Sequence, residues 1–362
     1  MNVGVIHGDG IGPEIVEATL SVLAATRVPL DWHPIEVGTA AVARHGHPLP
    51  PASIARLREY PATLKAPLIV NKLEGRIACL QPDGTTITYP SLNNALRREL
   101  GLFVNPRPIR GFPGISGRHE TLDLVIMREI TEDVYIGLET RQGDDSADAI
   151  KRITRTASLR VARFAFDYAR RNGRRRVTCL HKANVLNFTD GLFLRCCREV
   201  AAEFPDIVFD DLMIDAACYL IVRDPARFDV VVCPNQYGDI FSDLAAGLVG
   251  SLGLAPGANL GPTTAAFEAS HGAAPDLAGR GLANPIAMIL CGAMLLEHLG
   301  HPAASLSVWN AVRDVLRDTE RLTPDLGGRG NTRELAGAIA QRVADTVSIT
   351  NTGSRLNPPP SC

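Results

Sequence analysis

Short apolar runs of strand length alternate with segments of helical period along nearly the whole chain. No other feature of the sequence restricts the fold as much. Residues 3–7 form a strand signal that ends in Gly8-Asp9-Gly10-Ile11-Gly12-Pro13-Glu14, after which apolar residues recur at helical spacing through Val16, Leu20 and Leu23. Residues 122–127, 134–138, 177–180 and 229–233 read as further strands, and 68–71 as a short one. Residues 92–100, 154–171, 215–222 and 241–249 read as helices, with Ser91 as an N-cap and Gly101 and Gly173 as stops. Stretches 106–121, 255–264 and the tail from 353 are rich in turn residues and read as loops. Interleaved strands and helices predict an α/β architecture.

At 362 residues and 46% hydrophobic composition, the chain can bury a large core in one large domain or two. A net charge of -2 provides no field of one sign to draw in nucleic acid or an anionic membrane. The N-terminus enters the first strand with no charged region, apolar stretch and cleavage site, so no signal peptide is expected. The longest apolar run, 286–296, is too short for a bilayer and predicts a buried helix. Eight cysteines without a C-x-x-C pair fit a reduced, cytoplasmic protein.

The glycine-rich turn invites a dinucleotide-binding interpretation, but its spacing is G-x-G-x-G and not G-x-G-x-x-G. It therefore argues against a standard Rossmann fold, and a plain strand-to-helix turn explains it equally well.

Four other groups of residues carry chemistry. Asp239 and Asp243, four apart after the 229–233 strand, share a helix face and either hold Mg2+ or Mn2+ or charge-balance a helix start. Asp215, in an apolar run, is a third ligand candidate or the partner of a basic group. Ser91, Asn93 and Arg97 lie on one helix, Arg107 lies between Pro106 and Pro108, and Arg128 ends an apolar strand. Arginine forks in such positions suit carboxylates. Tyr135 and Lys182 are candidate proton-transfer groups. The loop from Phe267 to Asp276 is small, polar and turn-rich. A carboxylate at 276 suits a ribose diol and opposes a 2'-phosphate, which favours NAD over NADP.

Together the segments GDGIGPE, SLNNALR, NPRP, REITEDVY, HKAN, IDAACYL, NQYGDIFSDLAAG and HGAAPD resemble the β-decarboxylating dehydrogenases, which include the isocitrate, isopropylmalate and homoisocitrate dehydrogenases. They match in order across nearly the whole chain, most like the NAD-type isocitrate enzymes. The resemblance implies an open two-domain α/β fold, with a large discontinuous domain from 1–101 and 253–362 and a small one from 102–252. It implies that Ser91, Asn93, Arg97, Arg107, Arg128 and Asn184 bind the substrate, that Tyr135 protonates the carbanion left by CO2, and that Lys182 relays a proton. It also implies that Asp215 joins Asp239 and Asp243 on Mg2+ or Mn2+. Lys182 and Asp215 would come from the partner of a homodimer. His271, Gly272, Ala274, Asp276, Leu277 and Asn284 would hold NAD.

Ser91 and Asn93 resemble the isocitrate-type choice, since an isopropyl pocket would be apolar there. The stretch 70–90 is longer than in the relatives and brings Lys72 and Arg76. It either reshapes recognition toward a homoisocitrate- or phosphonate-like acid or is a surface excursion that touches nothing. Ile130 and Gln236 replace an expected asparagine and apolar residue. A regulatory subunit of a heteromeric enzyme, or a dehydrogenase of tartrate-like diacids without decarboxylation, are the other readings.

Overall fold

A computed structural model describes residues 1–69, 76–81, 83–115 and 117–353, with side chains through residue 348. The chain opens with β1 (Asn2–Ile6), α1 (Gly12–Ala25), β2 (Asp31–Pro34), α2 (Thr39–His45), α3 (Pro51–Glu59) and β3 (Ala62–Lys65). A hairpin of β4 (Ile77–Leu80) and β5 (Thr86–Tyr89) leads into α4 (Leu92–Glu99). Next come β6 (Val104–Arg110), β7 (Asp123–Glu129) and a second hairpin, β8 (Glu139–Gln142) and β9 (Ser146–Ala149). Strands and helices then alternate through α5 (Arg155–Arg171), β10 (Arg176–His181), α6 (Thr189–Ala201), β11 (Val208–Met213), α7 (Ile214–Arg223), β12 (Val230–Cys233) and α8 (Asn235–Leu248). The described chain closes with β13 (Ala258–Leu260), β14 (Ala265–Phe267), α9 (Ile286–His298), α10 (Pro302–Val315) and α11 (Thr332–Gly353).

Ten strands form one sheet in the order β11-β10-β12-β7-β6-β13-β14-β3-β1-β2. Both outer parts are parallel, while β7, β6, β13 and β14 run antiparallel to one another at the centre. The two halves join at a narrow seam, where Leu260 opposite Val104 is the register pair between β13 and β6. Helices bury their apolar faces on each half. The α9 stretch from Ile286 to Leu290 is fully buried, with Ile286, Ile289 and Leu290 in a cluster with α1, α10 and α11 and Ala287 and Met288 packed toward β1 and β3. Val161, Phe166, Phe193 and Cys197 from α5 and α6 pack against β7, β10 and β12. Among the described residues, no helix is long and apolar enough to cross a membrane.

Several sequence expectations need correction. Residues 134–138 are not a strand: Val134–Ile136 form a single 3-10 turn, entered through Asp133 at φ 73 and left through Gly137 at φ 68. These left-handed residues at both ends defeat the apolar alternation that suggested a strand. Of 68–71, the described part lies beyond β3, whose strand is Ala62–Lys65. Asp9 takes over that backbone: its N–H donates to the Pro67 carbonyl at 2.8 Å, and its carboxylate accepts from Ile69 N at 2.7 Å. The loop reading of 106–121 gives way at its start, because β6 runs to Arg110 beside β7. Pro106 and Pro108 are tolerated there because β6 meets β13 only at Val104. Similarly, β13 occupies part of the 255–264 loop. The 241–249 helix begins at Asn235, so Asp239 and Asp243 lie inside α8 and not at its start. Residues 70–75 with Lys72, residue 82, residue 116 and the tail 354–362 with Cys362 lie outside the described residues.

Candidate active site

Most of the predicted substrate residues converge around the carboxyl end of β7 and the facing amino-terminal half of β6. Arg128, at the end of β7, is 1% exposed, an extreme position for a guanidinium. Its Nε donates to Asn235 Oδ1 at 2.9 Å, its Nη1 to Asp239, and its plane lies 5.1 Å from the centre of the Tyr135 ring. Arg107, on β6, donates to Asn105 Oδ1 at 2.6 Å and to Ser242 Oγ at 2.5 Å. It also lies 3.4 Å from Asp239 and 3.6 Å from Asp243. Gly238 is required here, since a Cβ would sit 2.6 Å from Arg128 Cγ. The missing side chain lets α8 lie directly on the arginine.

Tyr135 is held against this group and donates its hydroxyl to Asp239 Oδ2. Burial and that bond push the phenol up to about 12. Burial works against ionisation of Asp239, but Arg128, Arg107 and the Tyr135 hydroxyl outweigh it and hold the carboxyl below its ordinary range. Asp243 behaves in the opposite way. Burial raises its pKa, the Asp239 charge adds to the rise, and Arg107 offsets it only in part. Arg128 is brought down to about 10 by burial, with Arg107 and Arg97 adding repulsion. The site is therefore rich in positive charge, with one of its two carboxylates poorly satisfied. Such an arrangement favours small anions with several carboxylates.

Ser91 caps α4 by accepting from Asn94 N at 3.1 Å. Arg97, one turn on, reaches Glu268 at 3.4 Å. Asn93 and Arg97 line a small internal cavity together with Lys65, Asn259 and Glu268, and among the described residues Asn93 Oδ1, Arg97 Nε and Asn259 Oδ1 have no hydrogen-bond partner. Lys65 is paired with Glu268, whose carboxyl is held at about 2: burial opposes this, but Lys65 and Arg97 prevail. The sequence reading missed Lys65, Glu268, Asn105, Asn235 and Ser242. Lys65 ends a strand as Arg128 does, and the same rule would have found it had the strand been placed at 62–65.

Lys182 and Asp215 are not part of this cluster. Lys182 Nζ lies 2.6 Å from Asp215 Oδ1, and this bond holds the carboxyl below its ordinary range. Asp215, expected in a buried run, has a side chain 63% exposed. Asn184 is exposed beside them. Accordingly, no group of three or more His, Cys, Asp or Glu among the described residues of one chain is placed to hold a metal ion. Asp239 and Asp243 alone offer two hard oxygen donors on one face of α8.

The predicted cofactor loop rests on the glycine turn. Ile11 N donates to the Ala273 carbonyl at 2.9 Å, and a Cβ on Gly10 would come within 2.0 Å of that oxygen. The turn thus supports the loop by close backbone approach. His271 Nδ1 lies 3.0 Å from the Gly272 carbonyl and so acts as the donor, which leaves Nε2 a buried acceptor without a partner among the described residues. Burial keeps this imidazole below its ordinary pKa. An orphaned acceptor beside Gly272 and Ala274, with Asp276 exposed and Leu277 half-buried, fits a ligand that presents hydroxyl or amide donors. Asn284 is committed to the fold: it accepts from Ile286 N and donates to Asp325, each at 3.0 Å.

Known proteins share both sequence and geometry with this chain. The sequence profile of the isocitrate/isopropylmalate dehydrogenase family matches residues 2–339. The 3-isopropylmalate dehydrogenase of Archaeoglobus fulgidus is 45% identical over 93% of this chain and 97% of its own length. Catalytic subunit 5 of the mitochondrial NAD isocitrate dehydrogenase of Arabidopsis thaliana is 43% identical over 93% of this chain and 87% of its own. The crystal structure of isocitrate dehydrogenase from Methylococcus capsulatus superposes with a TM-score of 0.87 at 45% identity, covering 95% of this chain and 99% of that one. With the arginine cluster on the sheet ends and a match that spans fold and sequence alike, the chain belongs to the isocitrate/isopropylmalate dehydrogenase family, whose members are dehydrogenases of hydroxy acids.

Proposed function

We propose that the protein is an NAD- and divalent-metal-dependent enzyme that oxidises a 3-carboxy-2-hydroxy acid, isocitrate or a close analogue, and releases CO2. The observation that carries this reading is the buried pair Arg107 and Arg128 facing Tyr135, Asp239 and Asp243, with half-buried Arg97 paired to Glu268 nearby. Ser91, Asn93 and the three arginines bind the carboxylates. Asp239 and Asp243, with Asp215 of a second copy, would hold Mg2+ or Mn2+. The ion supplies Lewis-acid polarisation of the hydroxyl, and NAD, held at 271–277 and near 284, supplies the hydride acceptor. Lys182 takes the hydroxyl proton, and Tyr135 delivers a proton to the carbon that loses CO2. We also read the chain as two units, 1–101 with 253–362 and 102–252, which meet at the narrow β13–β6 seam.

A homodimer with shared sites accounts for the separated residues. Lys182 and Asp215 lie beside exposed apolar side chains: Phe188 is 91% exposed, and Val185, Met213, Tyr219 and Ile240 are also open to solvent. An apolar face of this kind calls for a partner. The β8–β9 hairpin is exposed on both faces, and an isolated two-stranded hairpin is barely stable alone.

Asn93 Oδ1 and Arg97 Nε, buried and without a partner among the described residues, support isocitrate over isopropylmalate, because a buried polar group left unpaired is heavily penalised. A second reading, a homoisocitrate- or phosphonomethylmalate-like acid, is favoured by Arg76 on the additional hairpin, an exposed guanidinium close to the Tyr135 turn. A regulatory subunit is less well supported, since Tyr135, Lys182 and the three aspartates are all in place.

The test is a panel of isocitrate, homoisocitrate, isopropylmalate and phosphonomethylmalate with Mg2+ and either NAD or NADP, with headspace CO2 measured against reduced cofactor. Isocitrate with NAD should be preferred, with one CO2 per NADH. Reduced cofactor without CO2 would sink the decarboxylation, and a preference for isopropylmalate would sink the reading of Ser91 and Asn93.

A further inference from the structure

The hairpin ahead of α4 is not an excursion that touches nothing. Cys79 and Tyr89 are buried in a cluster with Ile6, Leu57, Leu92 and Leu96. Tyr89 Oη and Gln81 Nε2 both donate to Glu99 Oε1 at 2.8 Å, and His47 donates to the Ala78 carbonyl at 2.6 Å. From this fixed base two side chains reach the turn that carries Tyr135. Asn94, 7% exposed, donates its amide to the Tyr135 carbonyl at 3.0 Å. Arg76 donates to the Gly137 carbonyl, also at 3.0 Å. Between them Pro90 presses on Gly137, where an added Cβ would lie 2.6 Å from the proline Cβ. On its other side the turn is held by α8, through Asn235 to the Glu132 carbonyl at 3.1 Å and Gln236 N to Asp133 at 2.9 Å. Tyr135 is therefore gripped between two elements. One carries the aspartates and the other carries Ser91, Asn93 and Arg97.

We propose that Asn94 of α4 and Arg76 at the start of the hairpin are positioning residues that set the Tyr135 hydroxyl over the reacting carbon, so that α4 and the hairpin before it tune the final proton transfer. This rests on the reading of Tyr135 as the acid. In that step the enolate electron pair forms a new C–H bond, the tyrosine O–H breaks, and the phenolate recovers its proton from water. The two adjacent asparagines thus divide the work: Asn93 lines the small cavity beside Arg97, while Asn94 holds the backbone of the turn that carries the acid.

The hypothesis is tested with the full-length enzyme, NAD and Mg2+ in D2O, using isocitrate, or isopropylmalate if the panel selects it. Both products carry deuterium at the carbon that lost CO2, and its stereochemistry reports which group delivered it. Positioned general acids contribute about 10²- to 10⁴-fold, so partial displacement in Asn94→Leu should lower kcat about tenfold with KM nearly unchanged and erode the stereochemistry. Arg76→Ala, a surface change that cannot unfold the core, should do the same to a smaller degree. Tyr135→Phe is the reference and should lose both rate and stereochemical control. If it does while Asn94→Leu and Arg76→Ala retain wild-type kcat and stereochemistry, the positioning role is overturned and the acid role stands. If Tyr135→Phe also behaves as wild type, both are overturned.

Discussion

Two charged groups in this molecule are built on opposite terms. Around Arg128 the arginines are buried and doubly held: its guanidinium is 1% exposed and bonded to Asn235 and Asp239, while Arg107 lies alongside on Asn105 and Ser242, and the Asp239 carboxylate is bound from within by both. Among the described residues, the side chains of Lys182 and Asp215 bond only to each other, on an open face beside Phe188 and Met213. The arginines of the first group find their partners within one chain. The second has a lysine and a carboxylate with no substrate-sized cluster around them, so their chemistry depends on what covers the face. Location within the fold therefore separates residues that a motif-based reading places in one list.

The largest effect expected from breaking this contrast is on activity. Lys182→Met and Tyr135→Phe should each lower turnover by about 10²-fold or more, as loss of a proton-transfer group does. If the two residues come from different chains, mixing the variants restores one intact site in each mixed dimer. A statistical mixture in a two-fold dimer would then recover about a quarter of wild-type turnover. No recovery after confirmed subunit exchange would assign both residues to one chain. Phe188→Asp, on the same face, should shift sedimentation toward the monomer and abolish activity with it.

How far the sequence discloses each region follows from the range of its contacts. Arg128, Tyr135, Asp239 and Asp243 lie in recognisable local patterns, and the family resemblance placed them together. Lys65 and Glu268 are 203 residues apart and meet only because β3 and β14 are neighbours in the sheet, a pairing that no local pattern discloses. Asn94 was overlooked because its neighbour Asn93 already satisfied the motif. The predicted strand at 134–138 failed because Asp133 carries a left-handed φ without being glycine, which sequence pattern does not reveal. The helical half of the prediction fared better, since α5 and α9 each declare themselves by long periodic or wholly apolar runs.

The next effect is on stability. Arg128→Leu leaves Asp239 beside a buried apolar side chain and orphans Asn235. Loss of one partner of a buried charged pair costs about 3–5 kcal/mol, and the thermal midpoint should fall accordingly. Arg128→Lys should recover part of this but not the forked contact to both Asn235 and Asp239. Lys182→Met, by contrast, should leave the thermal midpoint almost where it was, because its pair is open to solvent and already screened. If Lys182→Met unfolded the protein as readily as Arg128→Leu, the contrast between the two regions would not hold.

The smallest effect appears only in acid. Glu268 is 13% exposed and held at about 2, against an ordinary value of 4.5. Its folded value is depressed, so its stabilising contribution is present above the unfolded value and is lost as the pH falls through the folded one. A displacement of this size corresponds to about 3 kcal/mol, present in full at neutral pH and withdrawn between roughly pH 4.5 and 2. Glu268→Gln should remove that part of the acid dependence while lowering stability at pH 7, since Lys65 and Arg97 then face each other without a counter-charge. Asp215 is depressed too, by Lys182, but it is exposed and salt screens the pair, so Asp215→Asn should alter the acid limb only at low ionic strength. Acid unfolding of the two variants at low and high salt distinguishes the regions without reference to catalysis: salt should leave the Glu268 contribution in place and erase that of Asp215.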